Sequence, residues 1–181
     1  MIADYKTLSD NDFLVLDTET TGLENDDQVV EVSIIDSQDN TLMNVRCRPT
    51  TSINAFALNV HGLSEEVLKN EPQFVEYYDE LKALLANKKV VVFNVKFDHR
   101  LLMQTCKAFN LDYDFLDHIE YVDAMYLAAE KYGATNQYGT ISLENARKKA
   151  GVEWRGQAHT ALADCRCTLD LMKAMLPTFL R

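Results

Sequence analysis

The sequence has 181 residues, of which 47% are apolar and 25% are charged, a composition typical of a folded globular protein rather than a disordered chain. The formal net charge of −10 repels nucleic acid at long range, which argues against a protein that coats DNA without sequence preference. It does not exclude an enzyme whose acidic groups bind a divalent metal, because the metal then supplies positive charge at the site.

The hydropathy of the sequence, its first residues and the spacing of its cysteines indicate a protein of a reducing, aqueous compartment. No apolar run approaches the roughly 18 residues that a membrane-spanning helix needs, so we expect no membrane partner. Residues 1–10 lack a basic region followed by an apolar one, which indicates no signal peptide and makes a cytoplasmic location the expectation. Free thiols are favoured over a zinc site, because no C-x-x-C pair occurs among Cys47, Cys106, Cys165 and Cys167.

The first part of the sequence predicts three antiparallel strands joined by short connections. Residues 12–19 are rich in Leu and Val, and residues 28–37 form a β-branched run. A third strand, within residues 41–49, follows the turn signal Asp39-Asn40. This part of the chain therefore reads as a meander.

The rest of the sequence predicts helices that alternate with shorter strands. Strands are expected within 89–94 and 118–124, and a loop within 132–140. Apolar residues at helical spacing predict six helical regions: short pieces over 53–68, a helix that starts at Pro72, and helices over 96–109, near 124–132, over 142–150 and over 160–176. Ser64 and Ser142 are the expected caps within the first and the fifth of these regions. With no linker in the pattern, we expect one α/β domain with a mixed sheet over residues 1–181.

Two carboxylates, Asp17 and Glu19, stand at the end of the first predicted strand, within FLVLDTETTGL. Residues two apart in a strand point to the same face, so the two side chains share a side if the strand continues through Glu19. Carboxylates placed in this way repel unless a cation lies between them, and oxygen ligands suit Mg²⁺ or Mn²⁺. A D-x-E pair alone is weak support, because such pairs also occur on solvated edges.

Two further acids and a histidine lie near predicted helix starts. Asp98 follows a buried strand, where an aspartate can also serve as a partner of the helix dipole. His159 lies at the start of the last helix, where a cap or a surface residue is the ordinary alternative. Asp164 lies in a small, apolar stretch of that helix, where a buried carboxylate needs a partner.

Three segments that contain these residues, LDTETTGL, NVKFD and HTALAD, resemble the three motifs of the DEDD superfamily of 3′-to-5′ exonucleases. The H-x-x-x-x-D spacing of the third motif is similar to that of the His subgroup, the DnaQ-like family, and in particular to its epsilon-like and exonuclease-X-like members. The motifs run from Asp17 to Asp164, nearly the whole chain. The resemblance implies a ribonuclease-H-like fold: a mixed five-stranded sheet with helices on both faces and an antiparallel second strand.

The resemblance also implies the roles of five residues. Asp17, Glu19, Asp98 and Asp164 match the acids that hold two divalent metal ions, Mg²⁺ or Mn²⁺, and His159 matches the residue that takes the proton from the attacking water. Such a site suits phosphodiester hydrolysis, because two metals can activate water and stabilise the leaving oxygen, and a histidine can accept a proton near neutral pH.

Other residues match positions where relatives contact the last nucleotide. Thr18, Thr20 and Leu23 lie where the family grips it, and Leu23 either wedges against the base or packs in the ordinary way. His61 is a candidate contact to the terminal nucleotide. Asn94 either contacts the substrate or orders the end of a strand.

The most basic run of the acidic chain is ARKKAGVEWR, residues 146–155. It either guides the phosphate backbone or forms a solvated helix face. Trp154 within it either stacks on a base or packs against the protein. The sequence does not decide between these interpretations.

The function expected from the sequence is hydrolysis of DNA from the 3′ end, with release of nucleoside 5′-monophosphates. An exoribonuclease of the same family is the alternative, because no residue clearly reads a 2′-hydroxyl. A catalytically silent nucleic-acid-binding or scaffold module is disfavoured, because all four acids and the histidine are present. No clear polymerase-binding tail is recognised at the end of the sequence, so a free-standing enzyme is slightly favoured over one that works beside a DNA polymerase. The oligomeric state stays open.

Overall fold

The computed structural model describes residues 4–8 and 12–176. Its five strands are β1 (Leu14–Thr20), β2 (Val29–Asp36), β3 (Thr41–Arg46), β4 (Lys89–Val92) and β5 (Glu120–Asp123). They form one sheet in the order β3-β2-β1-β4-β5. β2 is antiparallel to both β1 and β3, whereas β1, β4 and β5 run parallel. The predicted mixed five-stranded sheet, with its antiparallel second strand, is therefore confirmed.

The helices follow the predicted order. They are α1 (Ala55–His61), α2 (Glu65–Leu68), α3 (Tyr78–Leu85), α4 (Val95–Ala108), α5 (Ala124–Tyr132), α6 (Leu143–Ala150) and α7 (Ala161–Met175), and short 3-10 segments occur at Tyr5–Leu8, Phe74–Glu76 and Asp114–His118. No helix in the described part of the chain is long and apolar enough to cross a bilayer.

Two of the predicted caps are confirmed, and one predicted helix start is wrong. The hydroxyls of Ser64 and Ser142 accept hydrogen bonds from backbone amides at 3.3 Å and 3.2 Å. The helix expected directly after Pro72 begins only at Tyr78. The intervening residues form a 3-10 turn instead, in which the Glu76 carboxylate accepts the amide of Gln73 at 3.2 Å.

Helices cover both faces of the sheet because side chains alternate along each strand. On one face, Leu14 and Leu16 of β1 join a core with Leu81 of α3 and Leu101 of α4. On the other face, the intervening Val15 joins a second core to which α5 and α7 contribute Ala128, Leu169 and Met172. The alternation therefore places α3 and α4 on one side of the sheet and α5 and α7 on the other.

One buried aspartate organises the edge at which the parallel strands end. Asp123, the last residue of β5, accepts the amide of Met125 with Oδ1 and the amide of Val95 with Oδ2, both at 3.0 Å. A single carboxylate thus fixes the first turns of both α4 and α5. Because α4 begins here, its first turn brings Asp98 to the edge where β1 carries its acidic pair.

Candidate active site

Three carboxylates from two elements converge at the end of β1. The strand continues through Thr20, so Asp17 and Glu19 lie on the same side of it, as the sequence predicts. The pairing of β1 with β2 shifts register directly after Glu19. Asp164 reaches the pair from the first turn of α7. One carboxylate oxygen from each of Asp17, Glu19 and Asp164 lies within 4.8 Å of the others.

Asp98 stands beside this group without belonging to the mutually close set of oxygens. It is only 2% exposed, and its Oδ1 accepts a hydrogen bond from the Thr18 hydroxyl at 2.8 Å. Its charge raises the pKa of Asp17, after the larger effect of burial. We call Asp17, Glu19, Asp98 and Asp164 the acidic cluster. Thr18, a predicted substrate contact, uses its side chain to orient Asp98.

Burial and mutual repulsion make the acidic cluster hard to ionise. Burial, then the charges of Asp98 and Asp164, raise the pKa of Asp17 well above its ordinary value. Burial and the neighbouring carboxylates, first Asp164, raise the pKa of Glu19 to about 8. Burial raises the pKa of Asp98 to about 7 and that of Asp164 to about 6, although hydrogen bonds from Thr18 and from the backbone oppose the two shifts.

The acidic cluster fits divalent cations. All its donors are carboxylate oxygens, the ligands that Mg²⁺, Mn²⁺ and Ca²⁺ prefer. Among the described residues, no lysine or arginine forms an ion pair with any of the four acids. Burial, and after it the repulsion between neighbouring carboxylates, raises these pKa values, and a bound cation would offset that repulsion.

Sequence reasoning missed a fifth acid, Glu31 of β2, which pairs across the sheet with Glu19. It is 4% exposed, and both carboxylate oxygens are used within the protein. Oε1 accepts Nε of Arg46 at 3.0 Å, and Oε2 accepts the amide of Ala161, the first residue of α7, at 2.8 Å. Glu31 therefore ties the start of α7 to the sheet. The only sequence signal was an acidic residue inside a β-branched run.

His159 lies on the segment that precedes α7. Its backbone has a positive φ of 62° and its side chain is exposed. Its amide donates to Oδ1 of Asp164 at 3.1 Å, which brings the backbone of the histidine next to the acidic cluster. The helix cap is the following residue, Thr160, whose hydroxyl accepts the amide of Ala163 at 3.4 Å. The alternative interpretation of His159 as the cap is therefore wrong.

A cavity of about 230 Å³ opens beside Glu19, and three of the predicted substrate contacts line it: Thr20, Leu23 and His61. Its rim is unusually apolar for an exposed surface, because Leu23 is 60% exposed and Phe56 of α1 is 70% exposed. The lining of the cavity therefore combines carboxylates, Glu19 and Glu24, with apolar side chains.

His61 supports the wall of this cavity in a defined protonation state. Its Nδ1 accepts the amide of Leu63 at 3.0 Å, so Nε2 carries the proton and donates to the carbonyl oxygen of Thr20 at 3.0 Å. Burial lowers the pKa of the imidazole, although the hydrogen bond to Thr20 opposes this. A neutral His61 thus holds the end of β1.

The turn that carries Leu23 is built around Asp27. The Asp27 carboxylate accepts the Thr21 hydroxyl at 2.5 Å and the amide of Glu24 at 2.6 Å. A Cβ atom at Gly22 would lie 2.5 Å from Oδ2 of Asp27, so only glycine fits there. Close packing of this turn on its own aspartate therefore fixes the exposed Leu23 beside the cavity.

Asn94 occupies the turn between β4 and α4 and does not line the cavity. It has a left-handed backbone with φ 80°, a conformation that asparagine tolerates better than most residues. Of its two predicted roles, the ordering of the strand end is the one visible in the geometry. The nearby Phe97 both lines the cavity and packs against the core.

The basic run is largely neutralised within the protein. Arg147 and Lys148 form ion pairs with Glu144 on the same helix, and Lys149 donates to the carbonyl oxygen of Tyr132 at 2.8 Å. Arg155 forms ion pairs with acids outside the run. The geometry therefore favours a helix face over a row of free phosphate contacts.

Comparison with known proteins places this geometry in a family. The family model described as Exonuclease matches residues 14–172. An uncharacterized exonuclease, CP81 of Escherichia phage 186, is 35% identical over 173 residues, covering 92% of this chain and 89% of the phage protein. The DNA polymerase III subunit epsilon of Rickettsia prowazekii is 25% identical over 170 residues, covering 90% of this chain and 72% of the subunit.

The fold has a solved counterpart. The structure of exonuclease X in complex with 5′ overhanging duplex DNA matches with a TM-score of 0.67 and 21% identity, covering 92% of each chain. The match confirms the predicted ribonuclease-H-like fold. The family model, the phage relative and this structural match together show that the chain belongs to the DnaQ-like DEDD exonuclease family.

Proposed function

We propose that this protein is a divalent-metal-dependent exonuclease that removes nucleotides from the 3′ end of DNA and releases nucleoside 5′-monophosphates. The observation that carries the proposal is the convergence of Asp17, Glu19 and Asp164 within 4.8 Å, with no basic partner for these acids among the described residues. A buried group of like charges is expensive unless a cation joins it. Family membership supports the same conclusion.

Each side chain then has a defined task. The acidic cluster would hold two Mg²⁺ or Mn²⁺ ions, which supply Lewis acidity for the attacking water and for the leaving oxygen. Thr18 orients Asp98 through its 2.8 Å hydrogen bond. His159, exposed beside Asp164, accepts the proton of the attacking water. The hydrogen bond from its backbone amide to Asp164 brings the general base next to a metal ligand.

The cavity beside Glu19 would receive the terminal nucleoside. Its polar side adjoins the acidic cluster, where the scissile phosphate must lie, and its apolar rim suits the face of a base. Leu23 then packs against the terminal base, and Thr20 and His61 line the cavity beside the nucleoside. Asn94, which lies outside the cavity, acts through the turn before Asp98 rather than by contact with the substrate.

DNA is favoured over RNA because the similar solved structure contains duplex DNA and a relative is a subunit of DNA polymerase III. The latter name also supports a polymerase as a partner and a role in proofreading. We further propose that residues 1–181 act as one exonuclease domain. An exoribonuclease and a silent binding module are the alternatives that the experiment must exclude.

The decisive experiment uses oligonucleotides labelled at the 5′ end, one of DNA and one of RNA, with Mg²⁺, with Mn²⁺ and with a chelator. A 3′-to-5′ exonuclease produces a ladder of shortening labelled products, whereas attack from the 5′ end releases the label at once as a mononucleotide. No cleavage of either substrate with either metal would support the silent module, and preferential cleavage of RNA would support the exoribonuclease.

The role of His159 needs its own variant. His159→Ala should lower turnover by about 100-fold or more, in the range that general-base catalysis contributes, while calorimetric Mn²⁺ binding stays near that of the unmodified protein. His118→Ala is the matched control, because His118 is also exposed but lies in the 3-10 segment before β5. Unchanged turnover in His159→Ala at neutral pH would reject the general-base role.

A further inference from the structure

The segment that carries His159, residues 151–160 between α6 and α7, contains neither helix nor strand and depends on side-chain contacts for its position. One of its anchors is Arg155. Nε of its guanidinium donates to Asp170 of α7 at 2.7 Å, and Nη1 forms an ion pair with Asp39. Nη2 lies 3.4 Å from the carbonyl oxygen of Arg166. Each of the three guanidinium nitrogens therefore has a partner outside the segment.

Asp39 stands at the tip of the connection between β2 and β3, 116 residues away along the chain. Its φ is 72°, and the turn around it is fixed by Asp36, whose Oδ1 accepts the amides of Gln38 at 2.9 Å and Asn40 at 2.8 Å. One oxygen of Asp39 binds Arg155 and the other accepts Nε of Arg166 at 3.2 Å. We call Asp39, Arg155, Arg166 and Asp170 the Asp39 network.

The electrostatics of the Asp39 network agree with its geometry. Partial burial alone would raise the pKa of Asp39, but the hydrogen bonds and charges of Arg155 and Arg166 outweigh it and lower that pKa. The two acids and two bases thus balance one another, and the carboxylate of Asp39 stays ionised at neutral pH. An anchor built in this way holds at neutral pH.

Trp154 connects this anchor to the histidine. Its indole Nε1 donates to Glu144 of α6 at 3.2 Å, and the guanidinium of Arg147 lies over its ring at 5.3 Å. The centroid of the ring is 6.5 Å from that of His159. The segment is therefore held against α6 by Trp154 and against the β2–β3 turn and α7 by the next residue, Arg155.

We propose that the Asp39–Arg155 ion pair is a positioning device that holds the His159 segment against the β2–β3 turn and thereby sets the place of the general base. The inference rests on the proposed role of His159, but the anchor itself can be observed without catalysis. When the pair is removed, Trp154 and His159 gain freedom while the acidic cluster, borne on β1, α4 and α7, keeps its arrangement. Arg155 and Asp39 touch no reacting atom, so they are positioning residues.

The test uses Arg155→Gln, Asp39→Asn and the double variant. Asn suits the left-handed backbone at residue 39, so that change removes the charge without disturbing the turn. Trp154 is the only tryptophan in the sequence, so its fluorescence and its quenching by neutral acrylamide report on this segment alone. Lys173→Gln, an exposed charge change in the last turn of α7, is the control.

We expect each single variant to increase acrylamide quenching of Trp154 and to lower kcat about tenfold, with KM nearly unchanged, because a small misplacement of a catalytic group is costly. The double variant should lose less than the sum of the two single effects, since both changes remove the Asp39–Arg155 pair, although Arg155→Gln also removes the contact with Asp170 and Asp39→Asn the one with Arg166. Full additivity of the two effects would overturn the proposal. So would quenching equal to that of the unmodified protein, or an unchanged kcat.

Failure of the anchor and failure of the proposed function are distinguishable. If the unmodified protein cleaves neither DNA nor RNA, the proposed function fails, while the quenching experiment still decides whether the pair holds the segment. If the unmodified protein is active and Arg155→Gln loses activity with Trp154 quenching unchanged, the exonuclease proposal stands and the positioning device is rejected.

Discussion

Two groups of charged side chains adjoin the His159 segment, and they differ in their balance of charge. The acidic cluster combines four carboxylates with no basic ion-pair partner among the described residues, and the pKa of each is raised. The Asp39 network combines two acids with two arginines at the protein surface, and the pKa of Asp39 is lowered. Both groups bring several charges close together, but only the Asp39 network contains as many positive as negative charges.

Only one of the two groups stabilises the fold by itself. A group that balances its own charge stabilises the structure at neutral pH, whereas a group of like charges destabilises it until a cation arrives. The acidic cluster is held together by strong elements elsewhere: the central strand β1, the Asp123 cap of α4 and the Glu31 bond to α7. The packing of the sheet and its helices therefore offsets the unfavourable free energy of bringing the four acids together.

Removal of one charge from the acidic cluster should have the largest effect. Asp17→Asn should reduce exonuclease turnover by more than about 100-fold, beyond the loss typical of a residue that only supports a metal ligand. The same change should raise the melting temperature in the presence of a chelator, because it deletes a carboxylate that burial and its neighbours destabilise. Turnover and thermal unfolding, measured on the same preparation, check both directions.

Asp79→Asn is the control for that experiment, because Asp79 is exposed in the first turn of α3 and lies outside both groups. It should change neither turnover nor the response to a chelator. If Asp17→Asn lowered the melting temperature without metal, the carboxylate would be a stabilising residue, and the contrast between the two groups would fail.

Without a bound metal ion, the stability of the protein should depend on pH. The folded protein holds protons more tightly than the unfolded chain, because the pKa of Glu19 rises from 4.5 to about 8, that of Asp98 from 3.8 to about 7 and that of Asp164 from 3.8 to about 6. The stability contributed by this protonation is full below about pH 4 and is lost as pH rises through these folded-state values. Without metal, the free energy of unfolding should therefore decline between about pH 4 and pH 8 on account of these groups.

Divalent metal should reverse this decline. At pH 8, saturating Mg²⁺ or Mn²⁺ should raise the melting temperature by at least about 3 °C, which corresponds to roughly 1 kcal/mol for a chain of this length. Thermal unfolding across pH with a chelator and with metal gives the measurement. If the melting temperature falls with pH in the same way with the chelator and with metal, the acidic cluster binds no cation.

The sequence predicted the acids themselves but not the supports that place them. Asp17 and Glu19 could be assigned to one side of β1 because a strand has a fixed period. Glu31 could not be assigned, because its role depends on the β1–β2 register and on the amide of Ala161, 130 residues further on. The Asp39–Arg155 pair was out of reach for the same reason: a contact between distant loops leaves no local pattern.

A smaller effect is expected from Glu31, the acid whose charge is already satisfied. Glu31→Gln retains the side-chain volume but places an amide where the carboxylate now binds both Arg46 and Ala161. Metal affinity should fall by about 10- to 100-fold, as for other residues that orient metal ligands, because the start of α7 carries Asp164. Calorimetric Mn²⁺ titration measures this without reference to turnover.

Arg46→Met separates the two functions of Glu31. It removes the ion pair but leaves Oε2 free to accept the amide of Ala161. If Glu31 acts through α7, Arg46→Met should reduce Mn²⁺ affinity less than Glu31→Gln. An equal loss in the two variants would mean that charge balance, rather than the position of the helix, is what Glu31 supplies.

The smallest effect should come from the outer member of the Asp39 network. Asp170 is about one-third exposed, and Arg155 keeps its pair with Asp39 when Asp170 is replaced. Asp170→Asn should therefore lower the free energy of unfolding by only about 0.5 kcal/mol, the usual value for an exposed pair. The difference should vanish in about 1 M salt, where the Debye length shrinks to about 3 Å. Urea unfolding at low and high salt gives the measurement. A loss of unfolding free energy above about 2 kcal/mol that persists in high salt would show that the Asp39 network contributes to stability like a buried ion pair rather than an exposed one.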